Sequence, residues 1–188
     1  MQKTTMTHHA IGMIELSSIA MGYKTTDAML KAANVELVLS RTVCPGKFIT
    51  LVWGDVAAVD ASVQAGIGVS TGYLVNDLVI PNLHPQIFPA MTATNQVSET
   101  GALGVLETFD IVSAILGADA SVKAADVILC ELRIAMAIGG KAFYTVTGDV
   151  AAVEAAIEAG HKTIEGNGQI VYSVVIPRPR AELFQELI

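Results

Sequence analysis

The sequence predicts an α/β protein of the α+β kind, built from two tandem copies of one small domain. Two observations lead to this prediction. The second half of the 188-residue chain repeats the first, and each half shows strand and helix patterns in the order β-α-β-β-α-β. Each copy should therefore fold as a small, mainly antiparallel sheet with helices.

The repeat consists of segments that match at a nearly constant offset: residues 10–15 with 102–107, 27–35 with 119–127, and 54–59 with 148–153. The offset grows by two residues after Leu39 in the first copy and before Gly140 in the second. A repeat of roughly 90 residues is too long for a solenoid unit, so it indicates a duplicated domain.

The elements follow the same order in each half. The first half opens with an apolar strand, continues with a helix, and then has two strands rich in β-branched residues. Asp55 and Asp149 are expected to be the N-caps of the second helices. The helical spacing of the first helix comes from Ile19, Tyr23, Thr26, Leu30 and Ala33. The predicted strands are 10–16, 35–43, 47–53 and 73–80 in the first half, with 102–108 as the first and 169–176 as the last strand of the second half.

These elements predict domains at residues 10–90 and 101–180. A linker is expected at 91–100, because the segment from Met91 to Thr100 is polar and turn-prone. Residues 181–188 are expected to form a short C-terminal tail.

Composition excludes several classes of protein. A net charge of −7 and a pI near 4.9 argue against nucleic acid or an anionic membrane surface as a partner. No apolar stretch approaches the ~20 residues of a spanning helix, and the first ten residues lack the apolar core of a signal peptide. We therefore expect a cytoplasmic protein, in which two cysteines give no disulfide framework.

The mean hydropathy of +0.54 is high for a chain without a membrane span. Two explanations stay open at this stage. Many Ala and Val residues could pack tightly inside each domain, or much of the surface could be buried in a large assembly.

Three motifs resemble the shell-protein domain of bacterial microcompartments. They are the opening Ala-x-Gly-x-x-Glu at residues 10–15 and 102–107, the Asp-Ala-x-x-Lys-Ala-Ala run at 27–33 and 119–125, and the ending Val175-Ile176-Pro177-Arg178-Pro179. The first copy departs from this ending, with Ile80-Pro81-Asn82-Leu83 in its place. The resemblance covers residues 10 to 180 and identifies the chain as similar to the tandem-domain members of that family.

The resemblance implies a structural role. Single-domain members form hexagonal discs, so a tandem member is expected to form a homotrimer with six domains around a central pore, a pseudohexamer. Such discs join other shell proteins edge to edge in the cytoplasm and surround encapsulated enzymes, some of them redox partners. No catalytic or nucleotide-binding motif stands out, which fits a protein that is not an enzyme.

Cys44 is the candidate metal ligand. From the residues alone, Cys44-Pro45-Gly46-Lys47 reads as a type II turn between two strands, and a lone cysteine is more often inert. The segment 40–48 also resembles the pore loop of a tandem member from propanediol-utilisation shells. That likeness implies an iron–sulfur cluster, of the 4Fe–4S type, held by one Cys44 from each of three chains.

The resemblance also implies which residues line the pore: Val43, Cys44, Pro45 and Gly46 in the first copy, and Ala137, Ile138 and Gly139 in the second. A plain hairpin turn remains an equal alternative for the second loop. Cys130 lies in an apolar strand and is expected to be buried and unreactive.

Lys31, Lys123 and Arg178 are the candidates for the edge of the tile. The two lysines occupy the same place near the end of their helices, where a solvated cation also complements the helix dipole. Arg178 is suited to hydrogen-bonding carbonyl groups across an interface. Two alternative functions stay open: a shell tile with a metal-free metabolite pore, and a trimeric metabolite-binding regulator.

Overall fold

A computed structural model describes residues 10–97, 101–134, 138–166 and 169–184. The chain divides into two compact units, Met1–Leu83 and His84–Ile188. The finer domain bounds given by the sequence, with a linker at 91–100, remain a prediction. In the described part of the chain, no helix has both the length and the apolar character needed to cross a bilayer.

Unit 1 is a four-stranded sheet with two helices. Its strands pair antiparallel throughout, in the order β2-β3-β1-β4, which confirms the predicted sheet. Its elements are β1 (Ala10–Leu16), α1 (Ile19–Ala32), β2 (Glu36–Val43), β3 (Lys47–Gly54), α2 (Val56–Val69) and β4 (Leu74–Ile80).

Unit 2 repeats this order and adds a short helix at each end. The strand order is β6-β7-β5-β8, again antiparallel. Its elements are α3 (Ile87–Met91), β5 (Ala102–Thr108), α4 (Ile111–Ala124), β6 (Ile128–Ile134), β7 (Ala142–Gly148), α5 (Val150–Ile164), β8 (Ile170–Ile176) and α6 (Ala181–Phe184).

Two of the extra residues of the second copy lie in the loop between β6 and β7. In unit 1, Thr42 pairs with Phe48 and encloses residues 43–47. In unit 2 the corresponding Ile134 pairs with Ala142 and encloses residues 135–141, two more than in unit 1. The repeat therefore differs in length where the candidate pore loops lie.

The glycine of the opening motif lets a helix lie directly on the first strand. A Cβ on Gly12 would come within 2.5 Å of a Val63 methyl group and 2.7 Å of one on Val59, both on α2. Gly104 has the same relation to Ile157 and Val153 of α5, at 2.7 and 2.8 Å. Each glycine removes the side chain that would hold helix and sheet apart, and the residues of the helix fill the space.

The first helix of each unit begins with a side-chain cap. The Ser18 hydroxyl accepts a hydrogen bond from the Met21 N–H at 3.3 Å, and Asp110 accepts one from Ser113 N–H at 2.8 Å. Asp55 and Asp149 occupy the N-cap positions that the sequence predicts, but their side chains make no capping hydrogen bond. The prediction was right about their position.

Candidate functional site

Cys44 lies at the tip of the turn between β2 and β3. Its side chain is exposed and carries a free thiol, whereas Val43 beside it is buried. Pro45 and Gly46 are exposed too, and nothing lies within 4 Å of the position of a Cβ on Gly46. The turn therefore projects away from the body of unit 1 and leaves the Cys44 thiol accessible to solvent.

The turn differs by one residue from the predicted type II turn. Its hydrogen bond runs from Gly46 N–H to the Val43 carbonyl, at 3.0 Å, so Cys44 and Pro45 are the central residues. Since proline has no N–H, the first amide after Cys44 that can close the turn is that of Gly46. The Cys44–Pro45 peptide is cis, and Gly46 has the expected positive φ of +94°.

An ion pair anchors the end of this turn. Lys47 Nζ donates to Glu15 Oε1 at 2.8 Å, and the Glu15 side chain is fully buried. A buried carboxylate without a cation would be costly, so the pair ties the turn to β1. Lys141 and Glu107 repeat the pair in unit 2, at 2.9 Å.

The second candidate loop is described only in part, since Ala137 lies outside the described residues. Ile138 is half-buried, and its carbonyl accepts a hydrogen bond from the Lys141 N–H at 3.3 Å. Gly139 is exposed with φ of +67°, and Gly140 is buried with φ of +84°. The two glycines thus supply the left-handed backbone of a turn. A pore-lining role for Ile138 and Gly139 stays a prediction.

Cys130 lies on β6 and is 5% exposed, as the sequence predicts. Burial raises the pKa of the Cys130 thiol to about 11, and the nearby Glu131 carboxylate also acts to raise it. The thiolate form is therefore scarce at neutral pH, which makes Cys130 a poor metal ligand.

The chemistry of Cys44 fits a cluster ligand, but one chain supplies only one such group. Across the residues that the structure describes, no three His, Cys, Asp or Glu side chains are grouped as for a metal ion. An iron–sulfur cluster needs several thiolates. Cys44 can thus be one part of a site that several copies of the chain complete.

The candidate edge residues lie at the surface. Lys31 Nζ pairs with Asp27 at 2.6 Å on the same helix, and Lys123 makes the same pair with Asp119. Both lysines are in the last turn of their helices. Arg178 is exposed just beyond β8. Their positions agree with either a solvated cation or an edge contact, so the edge role stays a prediction.

The outer faces of the first helices differ greatly between the units. On α1, Ile19, Tyr23 and Leu30 are exposed, Tyr23 by 66%. Their counterparts on α4 are Ile111, Ile115 and Val122, all buried. The predicted apolar spacing of α1 is therefore real, but most of its residues point outward, and the buried face is formed by Gly22, Thr25, Thr26 and Met29.

The sheets differ in burial in the opposite direction: on the face away from the helices, residues of unit 1 are buried and their counterparts in unit 2 are more exposed. In unit 1, Ile49, Leu78 and Glu15 are buried there. In unit 2 the corresponding Phe143, Val174 and Glu107 are partly or largely exposed, and Tyr172 beside them is 68% exposed. Sequence reasoning missed this, because Ile49 and Leu78 have the similarly apolar counterparts Phe143 and Val174.

Two similar α+β units, the first with a projecting turn that carries an exposed thiol, and each with an exposed apolar face, define a subunit built for assembly. The BMC domain model matches residues 10–83 and 102–179, so the chain belongs to the BMC domain family. It is a shell protein of a bacterial microcompartment, with a structural rather than an enzymatic role.

Relatives match the chain over nearly its whole length or over less than half of it. The chain is 41% identical over 179 residues to the bacterial microcompartment shell protein PduT of Citrobacter freundii, spanning 95% of this chain and 97% of that protein. A crystal structure of a microcompartments protein from Desulfitobacterium hafniense DCB is 46% identical, with a TM-score of 0.83 over 95% of this chain and 99% of that one. The shell protein EutM of Salmonella typhimurium is 43% identical over 82 residues, 44% of this chain and 83% of EutM.

Proposed function

We propose that three copies of this chain form a closed pseudohexameric tile of the shell, with the Cys44 turns around its centre. The observation that carries this proposal is the difference in burial between equivalent faces. The outer face of α1 is exposed where that of α4 is buried, and the sheet of unit 2 is exposed where that of unit 1 is buried.

Those two exposed faces are different surfaces, so they favour a head-to-tail contact between copies. A heterologous contact of this kind generates a ring when the rotation between subunits closes. We propose that the outer face of α1 of one copy packs on the unit 2 sheet of the next copy, on the exposed face of that sheet away from its helices, called here the β5–β8 face. Three copies then provide six similar domains, the number expected of a hexagonal tile.

The tile would join other shell proteins at its edges. Lys31, Lys123 and Arg178 are all at the surface, which supports their proposed role as edge contacts. An arginine guanidinium can donate several hydrogen bonds to carbonyl groups of a neighbouring tile.

We further propose that the centre of the tile holds an iron–sulfur cluster, ligated by Cys44 of each copy. The exposed thiol at the tip of a projecting turn supports this, as does the similarity to PduT over 95% of the chain. The buried Glu15–Lys47 pair holds the turn in place. Bound there, a cluster could carry single electrons to or from enzymes inside the shell.

The cluster proposal is tested by measuring iron and acid-labile sulfide per trimer in protein purified without oxygen. We expect both in the parent protein and in Cys130→Ala, and loss of both in Cys44→Ser at unchanged trimer mass. Cys130→Ala is the matched control, because it removes the other cysteine of the chain.

A parent trimer that carries no iron after anaerobic reconstitution would contradict the cluster and leave the shell role intact. The centre would then be a metal-free pore for small metabolites. Its walls would carry the exposed Cys44 turns and, at their bases, the Glu–Lys pairs of both units.

A further inference from the structure

The segment that follows β4 covers the edge strand of unit 2. In the chain it comes directly after unit 1, yet from His84 onward it belongs to unit 2, where α3 packs against β6. The Gln86 side chain bonds to the backbone of that strand in both directions. Its Oε1 accepts from the Leu129 N–H at 2.7 Å, and its Nε2 donates to the Val127 carbonyl at 3.2 Å.

Further contacts complete this cover. Asn95 Nδ2 donates to the Leu129 carbonyl at 2.6 Å, and the His84 N–H donates to Asp119 Oδ1 at 2.8 Å. Ile87 is 1% exposed, and Leu129 beneath the segment is 0% exposed. At Val127 and Leu129 the edge of this sheet therefore has backbone polar groups bonded, and the Leu129 side chain is removed from water.

The equivalent edge in unit 1 is open. Strand β2 occupies the place of β6 in the strand order. Leu37, the counterpart of Leu129, is 45% exposed, and Val38, the counterpart of Cys130, is 40% exposed. An exposed apolar edge strand is a ready template for another chain segment.

The segment that follows β8 has the same pattern as the segment that follows β4. Ile80-Pro81 corresponds to Ile176-Pro177, and Gln86-Ile87-Phe88 corresponds to Glu182-Leu183-Phe184 at the same offset. Leu183 is 43% exposed although its counterpart Ile87 is buried. The C-terminal segment thus carries the features of a strand cover, with Phe184 buried and Leu183 still in solvent.

The charges of the two open surfaces are complementary. Arg180 takes the place of His84, and Asp27 takes the place of Asp119. In unit 2 the contact is a backbone N–H to a carboxylate. In the corresponding contact between copies, the Arg180 guanidinium would add the attraction of a full positive charge to the exposed Asp27 carboxylate.

We propose that residues 177–184 of one copy lie across the β2 edge of the next copy, as the segment after β4 lies across β6. This inference rests on the proposed trimer, because the tail of one copy can reach β2 of another only when the copies assemble. Glu182 accepts from the Leu37 N–H in the way that Gln86 Oε1 accepts from Leu129. The partner is therefore a second copy of this chain, whose β2 edge is bound by the C-terminal segment of the first copy.

The test is hydrogen exchange of the full-length assembled protein, with the mass of the assembly measured alongside. In Leu183→Asp we expect the amides of β2 to exchange at least about tenfold faster than in the parent, while those of β6 do not change. Gln86→Ala is the matched control and should speed exchange at β6 but not at β2.

The outcomes separate this inference from the trimer proposal. A parent trimer whose β2 amides exchange equally fast with and without Leu183→Asp would overturn the tail contact and leave the trimer standing. A parent that is monomeric by mass would overturn both. Charge reversal adds a second measurement: Asp27→Arg and Arg180→Asp should each speed β2 exchange, and the double variant should restore protection.

Discussion

At the scale of single residues, the two cysteines show how position in the fold decides reactivity. Cys44 and Cys130 both lie in or next to the edge strand of their sheets, since β2 and β6 are equivalent. Cys44 extends beyond the strand in a projecting turn and is exposed, whereas Cys130 is covered. The chain therefore keeps one thiol available for chemistry and removes the other from it.

This difference predicts selective alkylation. In iron-free protein at pH 8, iodoacetamide should add one carbamidomethyl group per chain, at Cys44. With a pKa of about 11, Cys130 has on the order of one thiolate in a thousand molecules at pH 8, and burial hinders access further. Its labelling should rise as pH approaches 11. Peptide mass spectrometry checks this.

Two controls belong with the alkylation experiment. Cys44→Ser should take up no label under native conditions, and both cysteines of the parent should react in urea. Rapid labelling of Cys130 in the folded protein at pH 8 would contradict its burial on β6.

At the scale of elements, the contact of helix with strand depends on the repeated glycines. Gly12→Ala should destabilise the protein by about 1–3 kcal/mol, because the new methyl group meets Val59 and Val63 of α2. Gly68→Ala is the control, since it lies near the end of α2 with nothing within 4 Å of the Cβ position. We expect Gly68→Ala to be neutral or stabilising by up to about 1 kcal/mol.

Thermal unfolding at one fixed protein concentration checks this pair of variants, because assembly makes Tm depend on concentration. The same fall in Tm for both variants would contradict the contact between α2 and β1 as the source of the cost, because Gly68 has no neighbour within 4 Å of its Cβ position.

The elements are also where sequence reasoning succeeded and where it reached its limit. The repeat and the strand patterns predicted the order of the strands and long helices found in the described residues, because periodicity reports which residues avoid water. The turn at Cys44 was predicted one residue out of place, because the hydrogen-bond partner of Gly46 depends on the path of the whole loop. The Glu15–Lys47 ion pair joins residues far apart in the chain, so it cannot be predicted from the sequence around either residue.

At the scale of the whole molecule, duplication lets two copies of one domain have different surroundings. Tyr23 and Ile115 occupy equivalent positions, and one is exposed while the other is buried. The high mean hydropathy of the chain now has a structural explanation, since apolar faces of α1 and of the β5–β8 sheet lie at the surface. Such faces are typical of surfaces that become buried on assembly.

The head-to-tail contact makes a prediction about mixtures. Tyr23→Lys should prevent assembly by damaging the α1 face, and Tyr172→Glu should do so by damaging the sheet face. Each variant alone should be monomeric in light scattering, because every contact would contain one damaged face. Mixed together, they should form a one-to-one dimer, since the intact α1 face of one variant meets the intact sheet face of the other.

Tyr23→Phe is the conservative control and should keep the mass of the parent, because it retains the apolar ring that lies beside Phe48. A contact between two identical faces would behave differently. If sheet face met sheet face, Tyr23→Lys would still form dimers. If α1 face met α1 face, Tyr172→Glu would still form dimers. In neither case would mixing the variants add a new species. The appearance of the mixed dimer alone therefore distinguishes a ring-forming contact from a symmetric one, before the number of subunits in the ring is known.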